Sequence, residues 1–451
     1  MKKILVFIMA ALMIASSLIL TGCEDTTSTT TTTKPSTGDP LTRTISMHEI
    51  DYDTWEIKDK VDREITYKGI IKIGNTNPTS GEYQSTGGEY NEGLISRIND
   101  INFNGGVGGD YENGQQGYYI EFVHYDDKYS EDLGLKYTKK LIEEDEVFAI
   151  VGQFSETTIE ETIDYVGDNR VIFLGAASGS TKCSYFSSVF NVHPLSTAEG
   201  KYTAQKIKEL YPGTEKVGVI FVDDGEGADY KDAFMTDSEW ECTIVSAKNG
   251  RFNVDDIRDC DVVVVGAGKH YTKNIVTTLI KEKISKPVFT SSSIYENAFT
   301  QEYNQLDDAE KFPIYTNAWL TTTDVVAFVT CADTVMRTYG TIDNIYSPYV
   351  MEGWIAADVF VEGLNRVLEI YGSLEEHNLT TEKYTSALTS NPVEIPMSVT
   401  YIGDQSIYTQ IEFSSIDMGA VLTDLKILDA NRNEFEEMII DKWREEELNN
   451  Q

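Results

Sequence analysis

Four small residues, Gly175-Ala176-Ala177-Ser178, directly follow the apolar run Val171-Ile172-Phe173-Leu174. A strand that ends in such a segment leaves backbone N–H groups open to close approach, and the Ser178 hydroxyl adds a further donor. That chemistry suits a carboxylate beyond the strand C-terminus, where ligands of open α/β sheets lie. The same residues would equally make an ordinary strand-to-helix turn capped by serine. Glu156 and Glu226 offer the opposite chemistry, acceptors for a cationic or amino-bearing group. An α-amino acid needs both kinds of partner, donors near strand ends or helix N-termini and an acceptor opposite.

Other chemistries lack their residues. Gly266-Ala267-Gly268 follows a strand-like run, but Tyr271 stands where a dinucleotide loop has its third glycine. There is no Gly-x-Ser-x-Gly elbow for an α/β-hydrolase nucleophile. The histidines (His48, His124, His193, His270 and His377) are scattered without metal spacing, and Asp429-Ala430-Asn431-Arg432-Asn433 lacks the later glycine and glutamate of a calcium loop. Cys183, Cys242, Cys260 and Cys331 form no C-x-x-C pair, so zinc is not expected. A Cys242–Cys260 bridge and buried free thiols both fit the spacing. The expectation is a protein that is no enzyme and carries no cofactor or metal. A net charge of −37 argues against nucleic acid, whose phosphates demand clustered Lys and Arg.

Strands and helices alternate from about residue 67. Gly69–Gly74, Tyr118–Val123, Val147–Gly152 and Val171–Leu174 are the strands of a first series, with apolar residues at helical spacing between them. After Pro194 a second series runs through Val217–Val222, Cys242–Ala247, Asp261–Gly266 and Pro287–Thr290. Two such series predict an α/β protein of two doubly wound lobes, each with its loops at one sheet edge. Long helices are predicted over Asp324–Tyr339 and Pro348–Ile370, then short strands in the tail from Ser398 to Trp443.

Lys2 and Lys3 precede the apolar run Ile4 to Leu20, which stops at Leu20-Thr21-Gly22-Cys23. This resembles a bacterial lipoprotein signal, and it implies a lipid on Cys23 and a protein anchored outside the cytoplasm. The Ser/Thr-rich stretch up to Pro40 is expected to be a disordered tether.

The order of these pieces resembles the Leu/Ile/Val-binding, branched-chain amino-acid type of solute-binding lipoprotein, with the type I periplasmic-binding-protein fold. It is carried by Ile71-Lys72-Ile73-Gly74 with Pro78-Thr79-Ser80-Gly81, Ile98-Asn99-Asp100-Ile101-Asn102, Gly105-Gly106-Val107, Asp126-Asp127, Phe148-Ala149-Ile150-Val151-Gly152, Gly175 to Ser178, Asp223-Asp224-Gly225 and Asp261 to Gly266. The resemblance implies two lobes joined by a hinge around a ligand cleft, and an ABC permease in the membrane as partner. It divides the chain into a signal peptide (1–22), a tether (23–40), an unassigned segment (41–66), a first lobe (67–194 and 313–375) and a second lobe (195–312 and 376–451). It implies that a small polar ligand, an amino acid above all, has its carboxylate held by Ala176, Ala177, Ser178 and the turn carrying Phe154, Ser155 and Glu156. Thr86 stands where the family often has an aromatic, with Tyr83 close enough to substitute. Tyr230 and Glu226 flank the second-lobe turn, and Ser293 falls where many members have an acidic residue. That last departure widens the ligand to a small carboxylate, an amide, a urea-like molecule or an aromatic acid. A sensory lipoprotein with the same fold is the alternative function.

Overall fold

The computed structural model describes residues 41–291 except 55, then 303, 305–307, 310–318, 320, 325–345, 347–402, 405–411 and 424–427. Cys23, Ser293 and the Asp429 turn lie outside the described residues.

Two sheets organise the chain. The first has strand order β4-β3-β5-β6-β7, all parallel, built from β3 (Gly69–Asn77), β4 (Tyr118–Asp126), β5 (Ala149–Val151), β6 (Ile172–Leu174) and β7 (Val189–Phe190). Between its strands run α1 (Gln84–Phe103), α2 (Glu131–Glu143) and α3 (Glu156–Asp168). The chain then crosses through residues 191–195 to α4 (Ser196–Leu210) and a second sheet. Its strands are β8 (Lys216–Phe221), β9 (Glu241–Ser246), β10 (Val262–Gly266), β11 (Val288–Thr290), β12 (Ile314–Ala318) and, after a separate antiparallel pair of β13 (Val393–Ile402) and β14 (Gln405–Ile411), β15 (Asp424–Ile427), with α5 (Gly225–Asp237) and α6 (Lys269–Lys281) among them. The order is β15-β12-β11-β10-β8-β9, parallel except for β15. Every residue of β10, Val-Val-Val-Val-Gly, is buried, as a central parallel strand covered on both faces requires.

The long helices α7 (Val325–Tyr339) and α8 (Pro348–Tyr371) return to the first lobe. Ser347 caps α8, Pro348 opens it, and Gly372 ends it in the left-handed region at φ 83°. Helices α1 and α8 touch through their backbones, because a side chain at Gly93 would meet the Val350 carbonyl and one at Gly353 would meet that of Tyr90.

Three segments differ from the sequence expectation. Residues 41–66, unassigned above, lie within an antiparallel hairpin of β1 (Leu41–Asp51) and β2 (Glu56–Tyr67). It buries Met47, Ile50, Ile65 and Tyr67 against the first lobe, and the Tyr52 hydroxyl donates to Asp333 on α7 at 2.7 Å. Strand β12 was expected in the first lobe with 313–375, yet it pairs with β11, so the chain leaves the second sheet only after Ala318. Helix α9 (Thr381–Leu388) was expected in the second lobe with 376–451, yet it packs on α8. The reason is Tyr384, fully buried among Phe148, Phe190 and Phe360, with its hydroxyl donating to the Phe360 carbonyl at 3.0 Å. Tyr384→Ala is therefore expected to cost about 3–5 kcal/mol of first-lobe stability in urea titration, as large aromatic truncations do. A change near zero would place α9 outside that core. Cys183, Cys242, Cys260 and Cys331 are all free thiols, which excludes the Cys242–Cys260 bridge, and Cys242 lies 3.1 Å from the Ser238 hydroxyl instead.

Candidate functional site

The C-terminal edges of the two sheets face each other, and the loops beyond β5, β6, β8 and β10 meet there. The first two loops are shaped by glycine. Gly152 and Gly175 turn the chain at φ 71° and 73°, a region L-residues avoid. At Gly175 a Cβ would also sit 2.5 Å from that of Ala356. A buried asparagine network fixes the first turn: Asn77 Oδ1 accepts from Phe154 N at 2.7 Å, while its Nδ2 donates to the Gly152 carbonyl at 3.0 Å and to Asn91 at 2.8 Å. Ser155 then caps α3 by accepting from Thr158 N.

A cavity of about 360 Å³ lies between these edges. The first lobe lines it with Tyr129, Glu131, Glu156, Thr157, Glu160, Glu161 and Lys182, the second with Asp224, Gly225, Glu226 and Tyr271. Six of these side chains are carboxylates, and the cation Lys182 already pairs with Glu160 at 3.4 Å and Asp164 at 3.9 Å. The field inside is negative.

The donors beyond β6 hold a carboxylate that belongs to the protein. Ser178 Oγ donates to Glu226 Oε1 at 2.6 Å and Gly179 N donates to the same oxygen at 2.7 Å. Two residues on, Thr181 N donates to Asp229 Oδ2 at 2.9 Å, so the first turns of α5 bind the loop twice. Burial, and then the neighbouring Glu156, push the Glu226 carboxyl well above the usual range against the lowering effect of its Ser178 bond. Asp224, which caps α5 through Gly227 N at 2.7 Å, is raised by burial to about 6.

Of the residues singled out from sequence, Glu156 and Glu226 line the cavity, and Ser178 reaches it through its bond to Glu226. Phe154 packs edge-on to Tyr349 at 5.5 Å in a buried aromatic cluster that includes Tyr90 and Ala177. Ala176 is fully buried in the core beside α3, and Thr86 is buried in the first turn of α1. Tyr230 turns into the second-lobe core, its hydroxyl 2.7 Å from that of Thr203. Tyr83 lies behind the lining, stacked on Tyr129 with centroids 4.1 Å apart.

Sequence reasoning missed Tyr129 and Tyr271. Tyr129 comes from a loop in which Lys128 and Tyr129 both take positive φ (54° and 60°), held by the carboxylates of Asp126 and Asp127. The Asp126-Asp127 pair was a visible signal; the left-handed turn it stabilises was not. Tyr271 sits in the first turn of α6, whose N-cap Gly268 leaves room for the Glu156 carboxylate.

Residues 70–237 match the family model described as periplasmic binding protein. Solved structures with the same arrangement cover about four-fifths of the chain. A possible leucine/isoleucine/valine-binding protein from Rhodopirellula baltica aligns over 80% of this chain and 97% of its own, with a TM-score of 0.61 and 13% identity. The chain has the type I periplasmic-binding-protein fold. Two further binding proteins align with solutes bound. A branched-chain amino acid transporter substrate binding protein from Streptococcus pneumoniae, in complex with isoleucine, shares 16% identity over 80% of this chain and 99% of its own, TM-score 0.57. A solute binding protein from R. palustris, in complex with 4-hydroxybenzoate, shares 14% over 80% and 93%, TM-score 0.63. No curated protein matches at the level of sequence.

Proposed function

We propose that this chain is an extracytoplasmic capture protein of an ABC importer, anchored by lipid at Cys23 and closing two lobes on a small polar solute, an amino acid or a related amino-bearing molecule. The observation that supports the reading is the cavity of about 360 Å³, because both lobes line it and its size lies in the range of small-molecule sites. A solute there touches both lobes only when they are together, and that differential contact drives closure. A larger hollow of about 520 Å³, between the start of α1 and Asn344, is lined by the first lobe alone and could not sense closure. No covalent step is needed; the closed form would dock on a membrane permease. The bound relatives hold solutes as different as isoleucine and 4-hydroxybenzoate, so the fold leaves the choice of ligand to the lining residues.

Capture predicts a rise in melting temperature with solute concentration, by RT ln(1 + [L]/Kd). A melting screen of the purified protein across amino acids, amines, amides and small organic acids tests it; silence to every member would refute the reading. For the anchor, Cys23→Ser is expected to move the protein from the membrane fraction to the soluble one. Unchanged membrane association would remove the lipid from the proposal.

A further inference from the structure

We infer that the solute held between the lobes is a small organic cation, recognised by carboxylates and tyrosine faces and not through a carboxylate of its own. The inference rests on the capture reading and narrows it to one chemical class.

Glu226 is the central observation. Its Oε1 occupies the donors of Ser178 and Gly179, the groups a ligand carboxylate would need. An anionic or zwitterionic solute would have to displace that carboxylate and then lie against Glu156, Glu160 and Asp224, while Lys182, the cation among the described lining residues, is already paired with Glu160. Like charges so placed in an enclosed site cost several kcal/mol. Glu226 Oε2, by contrast, accepts no hydrogen bond from the described residues, and the residue lines the cavity. Glu226 is half-buried, and the two bonds at Oε1 hold its other oxygen in place at the cavity for a partner.

The second, independent observation is aromatic. Tyr129 from the first lobe and Tyr271 from the second both line the cavity, and Tyr83 backs Tyr129 by stacking. Burial and the surrounding carboxylates raise both phenols above their ordinary range, so the rings stay neutral and keep their negative faces. Tyrosine faces contributed by two lobes, next to carboxylates, are the furniture of ammonium recognition.

The test is titration calorimetry and melting of the purified protein with four probes: putrescine and choline as cations without a carboxylate, isoleucine and benzoate as carboxylates. A cation is expected to bind and raise the melting temperature, while benzoate does nothing and isoleucine binds more weakly than the cation. Glu226→Gln keeps the acceptor for Ser178 and Gly179 but removes the ionisable carboxyl, which a bound cation would draw into its charged form against burial and Glu156, and should weaken cation binding roughly tenfold or more. Glu156→Gln should weaken it in the same direction. Binding of isoleucine or benzoate with no response to either cation would overturn this inference and leave capture standing. Silence to all four, and to the wider screen, would overturn both. Cation binding undiminished in both variants would also overturn it, and the wild-type panel decides even if a variant misfolds.

Discussion

Gly225→Trp is expected to weaken solute binding about 100-fold or more, near 2.7 kcal/mol, without unfolding either lobe. Gly225 opens α5 at the seam between the lobes, and a Cβ there would lie 2.5 Å from Glu160 Oε1 and 2.9 Å from Ser180 Oγ. Alanine should be milder, because the nearest atom is the end of a side chain that can swing aside. An indole cannot be fitted by that movement, and the lobes must stay apart. Its backbone carries no penalty for a side chain, since Gly225 is in helical conformation and absent from the positive-φ glycines. Small-angle scattering should therefore show a larger radius of gyration with an unchanged circular-dichroism spectrum. Full affinity in the tryptophan variant would mean that binding does not require the lobes to meet.

The second large effect is a pH dependence of stability centred on Asp127. Its carboxylate is fully buried beyond β4, accepts from Tyr129 N at 2.8 Å and Thr158 Oγ1 at 3.2 Å, and is pushed by burial from 3.8 to about 6. A raised carboxyl pKa means that the fold favours the protonated form. The contribution is complete below about pH 3.8, declines as pH rises to about 6, and is constant above. At 1.36 kcal/mol per unit, the decline is at most about 3 kcal/mol. Asp224, raised to about 6, adds a loss in the same window. Asp127→Asn removes the first of these, so the stability of the wild type minus that of the variant should fall between about pH 4 and pH 6. A difference that stays level across that range would show that Asp127 titrates normally.

The scaffold was legible because burial writes itself into parallel strands. The unbroken valines of β10 and the helical spacing of Ile159, Ile163 and Val166 admit few other readings. The hairpin of β1 and β2 was not, since most of its side chains are charged or exposed and only four large residues mark its buried face. Helix α9 was misplaced for a related reason: eight residues with a single large aromatic anchor do not announce which core they join. At the site, the donors beyond β6 could be read from Gly175 and Ser178, because glycine at a strand end has a local conformational meaning. What they bind could not. Glu226 is 48 residues away in sequence, and its bond to Ser178 exists only once two sheets are brought edge to edge. Tyr230 shows the converse. Near Glu226 in sequence, it looked like a lining residue, but α5 turns it inward to fill the core against Thr203.

The hairpin has a mechanical consequence. Leu41 is paired with Tyr67, and the chain passes from Tyr67 straight into β3, so both ends of the hairpin leave from one side. Traction applied at residue 41 would load the rungs in succession, Leu41–Tyr67 first, as a zipper opens, and not all together as in a lap joint. Peeling of this kind yields at low force and re-forms when slack returns, so the hairpin would act as a shock absorber between whatever holds residue 41 and the first lobe.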